Sequence, residues 1–73
     1  MDVRKRLAAN MVRLRKEKGW SQEELGDQAG MHRTYVSGVE RGVRNPTITV
    51  VAKIAAGLGC TIGNLVDQSD TSN

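Results

Sequence analysis

Apolar residues recur along this chain at the three- and four-residue spacing of amphipathic helices, and capping residues divide the pattern into five helical segments. The predicted helices cover residues 2–18, 22–29, 33–41, 48–58 and a short segment after Thr61. Their inward-facing residues are aliphatic or small: Val3, Leu7, Met11 and Leu14 on the first helix, and Val51, Ile54, Ala55 and Leu58 on the fourth. We therefore expect an all-α fold, a compact five-helix bundle forming one domain over residues 1–67, followed by a flexible polar tail at residues 68–73.

The boundary between the second and third helices has the features of a tight turn. Ser21 is placed to cap the second helix, Glu24 three residues later completes a capping box, and Gly30 supplies the turn. Gly26 lies inside the second helix, where glycine costs about 1 kcal/mol relative to Ala, so we expect another helix to approach closely there. Two short helices joined in this way are the layout of a helix-turn-helix, in which one helix supports the other in the DNA major groove.

The third helix has an apolar stripe and an opposite face suited to a groove. Val36 and Val39 form the stripe, together with Met31 just before the helix. The opposite side carries residues that are polar, basic or without a side chain: Arg33, Thr34, Ser37 and Gly38. His32 stands at the N-cap, where Ser, Thr or Asp caps better. Because Gly38 offers no side chain, we expect it to let the helix lie close to DNA.

Charge is distributed unevenly along the chain. The net charge of +3 is by itself weak evidence for a nucleic-acid partner. The acids cluster before the turn, at Glu17, Glu23, Glu24 and Asp27, and arginines follow it, at Arg33, Arg41 and Arg44. This asymmetry predicts a positive face centred on the third helix.

Composition argues against several other classes of function. One cysteine and one histidine allow neither an internal disulfide nor a zinc site, so we expect no metal. No apolar run approaches the roughly 18 residues of a membrane span, and the N-terminus lacks an apolar signal core, so we expect a cytoplasmic protein without a membrane partner. No acid pair has a recognisable catalytic spacing, and the chain has little room for a substrate pocket. We therefore expect neither an enzyme nor a cofactor or small-molecule ligand.

Base-reading residues are expected where the third helix begins. Arg33 can donate two hydrogen bonds to O6 and N7 of guanine, and Thr34 can hydrogen-bond a base or pack its methyl group against thymine. Arg44, in the following loop, can contact a base or a phosphate. The predicted DNA-backbone contacts are residues with donors on the flanks: Ser21, Gln22, His32, Tyr35, Ser37 and Arg41. Tyr35 suits partly buried structure equally well.

The order and spacing of these residues resemble those of the lambda repressor/Cro-type (XRE-like) helix-turn-helix family over roughly residues 7–66. The likeness is carried by Gln22-Glu23-Glu24-Leu25, Ala29-Gly30-Met31, Val36-Ser37-Gly38-Val39-Glu40-Arg41-Gly42 and Asn45-Pro46-Thr47. Within this family, residues 33–45 are similar to the controller proteins of restriction–modification systems and to other short regulators. The resemblance implies a homodimer formed largely through the fifth helix, with Ile62, Leu65 and Val66 at the interface. It also implies a structural ion pair between Arg15 and Glu40.

The favoured function is a sequence-specific transcription regulator, a repressor or autoregulator, that binds a two-fold operator in double-stranded DNA as a homodimer. Two recognition helices about 34 Å apart would then read half-sites one DNA turn apart. The alternative is an antitoxin-type or other protein-interaction module that also binds DNA. Toxin-binding extensions normally lie outside such a core, and only residues 67–73 follow Val66 here, which we take to favour the regulator.

Overall fold

The computed structural model describes residues 2–67, and over this range the chain forms five α-helices. Their bounds are α1 Val3–Glu17, α2 Gln22–Ala29, α3 Arg33–Glu40, α4 Ile48–Leu58 and α5 Ile62–Val66. The predicted all-α, five-helix architecture is confirmed, and the predicted helix ends agree to within one residue. The predicted polar tail at residues 68–73 lies outside the described residues. Within residues 2–67 we find no helix that is long and apolar enough to cross a membrane.

The helices begin at residues whose side chains accept a hydrogen bond from a backbone N–H of the first turn. These N-caps are Asp2, Ser21, His32, Thr47 and Thr61. At the start of α2, Ser21 Oγ accepts from Glu24 N at 3.0 Å, but the Glu24 carboxylate accepts from Gln28 Nε2 at 2.9 Å. The predicted capping box at α2 is therefore wrong in its second half, because Glu24 pairs with the next turn of its own helix. A reciprocal box forms instead between Thr61 and Asn64 at α5.

The turn between α2 and α3 depends on two glycines. Gly30 has a φ of +72°, in the left-handed region, which lets Met31 N donate back to Gly26 O at 2.8 Å. A Cβ atom on Gly26 would lie 2.5 Å from Met31 O and 3.3 Å from Arg33 N. The predicted close approach at Gly26 is thus present, although the approaching backbone is the turn and the start of α3 rather than a separate helix. Any side chain at this position would push α3 away from α2.

The core is aliphatic and joins all five helices. Helix α2 packs against α3 and α4, whereas α1 packs against α3 and α5. The buried apolar residues are Leu7, Met11, Leu25, Ala29, Val36, Val39, Val51, Ile54, Ala55, Leu58 and Leu65. Gly57 marks the close contact of α4 with α2, since a Cβ atom there would lie 3.0 Å from Ala29 N. Trp20 packs at the edge of this core, with Lys18 Nζ 5.1 Å from its ring centroid.

A buried amide on α1 holds the end of α5. Asn10 is 1 % exposed, and its Nδ2 donates to Leu65 O at 2.7 Å and to Asp67 O at 2.9 Å. A five-residue helix satisfies few of its own carbonyl groups, so α1 supplies donors that α5 lacks. Asn10 lies between Leu7 and Met11 in the apolar stripe of α1. A polar residue within an apolar stripe is a signal for a buried hydrogen bond, and the sequence predictions did not include one here.

Three side chains form a brace between α1, α2 and α3, which we call the Arg15–Glu40–Gln22 brace. Arg15 Nε and Nη2 donate to the two carboxylate oxygens of Glu40 at 2.8 and 3.0 Å, and Gln22 Nε2 donates to Glu40 Oε1 at 2.9 Å. Arg15 Nη1 also donates to Trp20 O at 2.9 Å. The Arg15 and Glu40 side chains are only 12 % and 4 % exposed. The ion pair that the family resemblance implied is therefore formed, largely shielded from water, with hydrogen bonds on both sides.

Replacing Asn10 by Ala is expected to lower the free energy of unfolding by about 1–3 kcal/mol, because carbonyl groups at the end of α5 lose a buried donor. Urea unfolding followed by circular dichroism measures this change. Lys16→Ala is the matched control, since Lys16 is an exposed residue of the same helix. The control should change the free energy by less than about 0.5 kcal/mol. Equal effects of the two substitutions would contradict the role given to Asn10.

Replacing Glu40 by Leu is expected to destabilise the fold by about 3–5 kcal/mol, because the Arg15 guanidinium is left without its carboxylate in a site shielded from water. The double variant Arg15→Met/Glu40→Leu should recover much of that loss, since no isolated charge remains. Denaturant midpoints of Glu40→Leu, Arg15→Met and the double variant make the comparison. The exposed Arg13–Glu17 pair supplies the control, and Glu17→Ala should cost no more than about 1 kcal/mol. A double variant that loses as much as the sum of its single substitutions would refute the explanation.

Candidate nucleic-acid interface

Helix α3 turns one face to the core and the other to solvent. Val36 is 0 % exposed, whereas Arg33, Thr34 and Arg41 are exposed and Ser37 is half-buried. The four-residue spacing of an α-helix puts Arg33, Ser37 and Arg41 in one row, with Thr34 beside it. Apart from Gly38, the residues predicted to face DNA thus lie on the open side. The N-terminal end of this side is the part of a groove-binding helix that reaches base edges.

The arginines of this open face carry charge that no carboxylate neutralises within residues 2–67. The salt bridges in that range join other arginines to acids: Arg4 to Asp2, Arg13 to Glu17 and Arg15 to Glu40. Arg33, Arg41 and Arg44 are exposed. Glu40 is the sole acid in the α3 sequence, and the brace holds it against Arg15. The exposed surface of α3 is therefore positive and free to attract phosphate.

His32 organises the start of α3. Its Nδ1 accepts a hydrogen bond from Thr34 N at 3.0 Å, so the imidazole caps the helix as the sequence indicated. When Nδ1 of a neutral imidazole is the acceptor, Nε2 carries the proton. His32 is exposed, so this second ring nitrogen has an N–H group available to a phosphate oxygen. The predicted contact with the DNA backbone would therefore use a different atom of the side chain from the one that caps α3.

Ser21 and Gln22, at the start of α2, each make a hydrogen bond within the protein and keep a second donor. Ser21 Oγ accepts from Glu24 N, which leaves its hydroxyl proton free to donate. One N–H of the Gln22 amide is held by Glu40 at 2.9 Å, and an amide nitrogen has a second N–H group. The sequence indicated only a phosphate contact for Gln22. The structure places it in the brace, so any phosphate contact would fall to the remaining N–H.

Arg44 reaches α3 although it belongs to the following loop. Gly42, with a φ of +77°, reverses the chain, and Val43 N and Arg44 N then donate to Gly38 O at 3.0 and 3.1 Å. The Arg44 guanidinium lies over the half-buried Tyr35 ring, 5.6 Å from its centroid. The structure thus brings Arg44 to the α3 surface that carries the other predicted base readers.

The prediction for Gly38 was wrong in its physical reason. We expected the absent side chain to let α3 lie close to DNA, but Gly38 is buried beneath the Arg44 side chain. A Cβ atom at Gly38 would lie 2.5 Å from Arg44 Cγ. The space is filled by the protein itself.

The three residues expected at a dimer interface differ in how far their side chains are exposed. Leu65 is 0 % exposed, so its side chain belongs to the core of one protomer and cannot contact another. Ile62 and Val66 are half-buried and pack against the core while keeping part of their surface open. Of the three predicted residues, Ile62 and Val66 therefore remain candidates for the interface.

Cys60 packs against the core as a small apolar residue. Burial raises the pKa of its thiol, an effect that nearby Lys18 opposes more weakly. A raised pKa keeps the thiol protonated and unreactive at neutral pH. Within the described part of the chain, no three His, Cys, Asp or Glu residues are grouped as metal ligands would be.

Comparison with known proteins places this geometry in a family. The family model described as Helix-turn-helix matches residues 12–65. An uncharacterised HTH-type transcriptional regulator, y4dJ of Sinorhizobium fredii, is 43% identical over 70 residues, which cover 96% of this chain and 91% of that protein.

Two solved structures are similar to the whole bundle. The hypothetical transcription factor NHTF from Neisseria superposes with a TM-score of 0.86 at 49% identity, covering 89% of this chain and 75% of the other. The restriction–modification controller protein C.Esp1396I, solved as a tetramer with its natural 35-base-pair operator, gives a TM-score of 0.79 at 34% identity, covering 84% of this chain and 80% of the other. The family match, the relative in Sinorhizobium and the two shared folds agree with the helix-turn-helix arrangement of α2 and α3. This chain belongs to the helix-turn-helix family, of the lambda repressor/Cro type.

Proposed function

We propose that this protein is a sequence-specific DNA-binding transcription regulator that acts as a repressor or autoregulator. The observation that carries the proposal is the open face of α3, where Arg33 and Thr34 are exposed at the N-terminal end and the arginines lack carboxylate partners within residues 2–67. Major-groove readers use this end of a helix, and arginine bidentate to guanine is the commonest base contact. The operator-bound structure of the related C.Esp1396I supports the same use of the fold.

Each polar residue of this face has a role in the proposed complex. Arg33 and Thr34 read bases, and Arg44 contacts a base or a phosphate beside them. Donors around them set the register of the protein on the sugar–phosphate backbone: Ser21, Gln22, His32, Tyr35, Ser37 and Arg41. No step requires catalysis, a cofactor or a small ligand, and the place of action is the cytoplasm, where the DNA is.

A homodimer on a two-fold operator is the second part of the proposal. One α3 helix reads only a few base pairs, so a site of useful specificity needs two, and two-fold symmetry is the usual way to provide them. The partly open Ile62 and Val66 side chains of α5 form the proposed contact between protomers, with Leu65 supporting them from inside each core. Repression then follows from covering a promoter, and its strength depends on the concentration of the protein itself.

An unbiased DNA selection on the purified protein, with affinity measured at two salt concentrations, tests this function. We expect a two-fold motif with half-sites about 34 Å, or one helical turn, apart. Mass measurement of the complex should show at least two protomers per site. Binding that is salt-sensitive but without sequence preference would refute specific regulation by this chain alone. It would favour an antitoxin-type module that needs a second protein.

Two arginines on one row of α3 should respond differently to replacement. Arg33→Ala is expected to cost about 1–3 kcal/mol of binding free energy and to relax the preference at one base position of each half-site. Arg41→Ala should instead weaken all sequences alike and reduce the slope of log affinity against log salt by about 1. Competition binding on the selected site and on single-base variants measures both effects. If Arg33→Ala weakened every sequence equally, Arg33 would not be a base reader.

A further inference from the structure

The course of the Arg44 side chain is set by the absence of a side chain at Gly38. The three atoms nearest to a Cβ position on Gly38 all belong to Arg44: Cγ at 2.5 Å, Nε at 3.3 Å and Cδ at 3.4 Å. The stem of Arg44 therefore occupies the volume that any other residue would fill. Gly38 is buried by this stem, on a face of α3 that is otherwise open.

Two further restraints act on the same side chain. At its base, Arg44 N donates to Gly38 O at 3.1 Å, so the backbone of the loop is fastened to α3. At its tip, the guanidinium lies 5.6 Å from the centroid of the Tyr35 ring. Arg44 thus contacts α3 through its backbone N–H group and its guanidinium, and its stem lies over Gly38, although the residue is four positions beyond the last residue of that helix.

A restrained arginine is a better reader than a free one. The N–H groups of a guanidinium form a planar fork that matches the acceptor pair O6 and N7 of guanine, and the match requires a fixed orientation. An arginine in a mobile loop loses rotamer freedom when it binds, whereas one already held against a helix loses little. Since the Arg44 guanidinium already lies against Tyr35 of α3, it should lose less rotamer freedom on binding than an arginine of a free loop, and this favours a base over a phosphate.

We propose that Gly38 is a specificity-determining positioning residue, which seats the Arg44 side chain across α3 and so fixes the base pair that Arg44 reads. Gly38 does not itself touch DNA. This inference rests on the proposed DNA-binding function, and it explains the base preference at one position of the operator. A residue with a side chain at position 38 would displace Arg44 and remove its preference, while Arg33 and Thr34 would keep theirs.

A double-mutant cycle of the wild type, Gly38→Ala, Arg44→Ala and the double variant tests whether Gly38 positions the Arg44 side chain. Each protein is taken through the DNA selection, and its affinity for the selected site is measured. Arg44→Ala should lose preference at one base position per half-site, with a roughly 5- to 150-fold loss of affinity. Gly38→Ala should lose preference at that same position and keep the position read by Arg33. The double variant should bind as Arg44→Ala does, because the two substitutions remove one interaction.

The outcomes separate this inference from its alternatives. If Gly38→Ala weakens binding as much in the R44A background as in the wild type, Gly38 acts on DNA or on the fold without Arg44, and the inference fails. It fails equally if Gly38→Ala relaxes the Arg33 position instead. A wild type that selects no motif is a different result, since it removes the proposed function and this inference with it.

Thermal melting covers the case in which Gly38→Ala alone does not fold. In the R44A background the clashing side chain is gone, and Ala is a better helix former than Gly. Gly38→Ala should therefore raise the melting temperature in the R44A background. In the wild type it should raise the melting temperature less, or lower it, because the Arg44 side chain must move. A fall in melting temperature in both backgrounds would show that a group other than Arg44 clashes with a side chain at position 38. That result would overturn the inference that Gly38 positions Arg44.

Discussion

The Arg15–Glu40–Gln22 brace fixes the relation on which the exposed face of α3 depends, the position of α3 against α1 and α2. An eight-residue helix is marginal on its own, so its orientation must come from tertiary contacts. The brace holds the C-terminal end of α3 through Glu40, and the Gly26–Gly30 turn holds its N-terminal end by direct backbone contact. With both ends fixed, the open row of Arg33, Ser37 and Arg41 has one orientation relative to the bundle. Burial of the Glu40 carboxylate has a second effect, because it takes the acid of α3 away from the surface that meets DNA.

His32 and Gln22 each stabilise the fold with one polar group and keep another that the proposed complex could use. His32 caps α3 through Nδ1 and exposes Nε2, and Gln22 gives one amide N–H to Glu40 while a second remains. Such sharing gives a binding group a fixed orientation before it meets its target, which lowers the entropy lost on binding. It also means that replacing either residue by Ala would change stability and affinity together. Measurements on them need a stability control before they are interpreted as contacts.

The sequence predicted the features of this fold that depend on neighbouring residues. Helix bounds, the N-caps at Ser21 and His32, and the turn at Gly30 follow from spacing and local chemistry, and all were predicted to within one residue. Among features that depend on tertiary contacts, the Arg15–Glu40 pair was expected only from the family resemblance, and others were missed or misread. The burial of Leu65 required knowing which side of α5 meets α1, and the value of Gly38 required knowing where Arg44 lies. The pairing of Glu24 is a different failure, since Gln28 is a local competitor that the capping pattern did not consider.

The hydrogen bonds from Asn10 to the end of α5 link the interior of the fold to the proposed contact between protomers. Helix α5 has five residues and depends on an amide from α1 for its last carbonyl groups. If α5 carries the contact between protomers, the pairing of two chains depends on a residue in the interior of each one. A change in α1, remote from both the operator and the partner, would then alter the protein concentration at which the operator fills. The threshold of such a regulator would be tuned from inside its core, with no substitution on either binding surface.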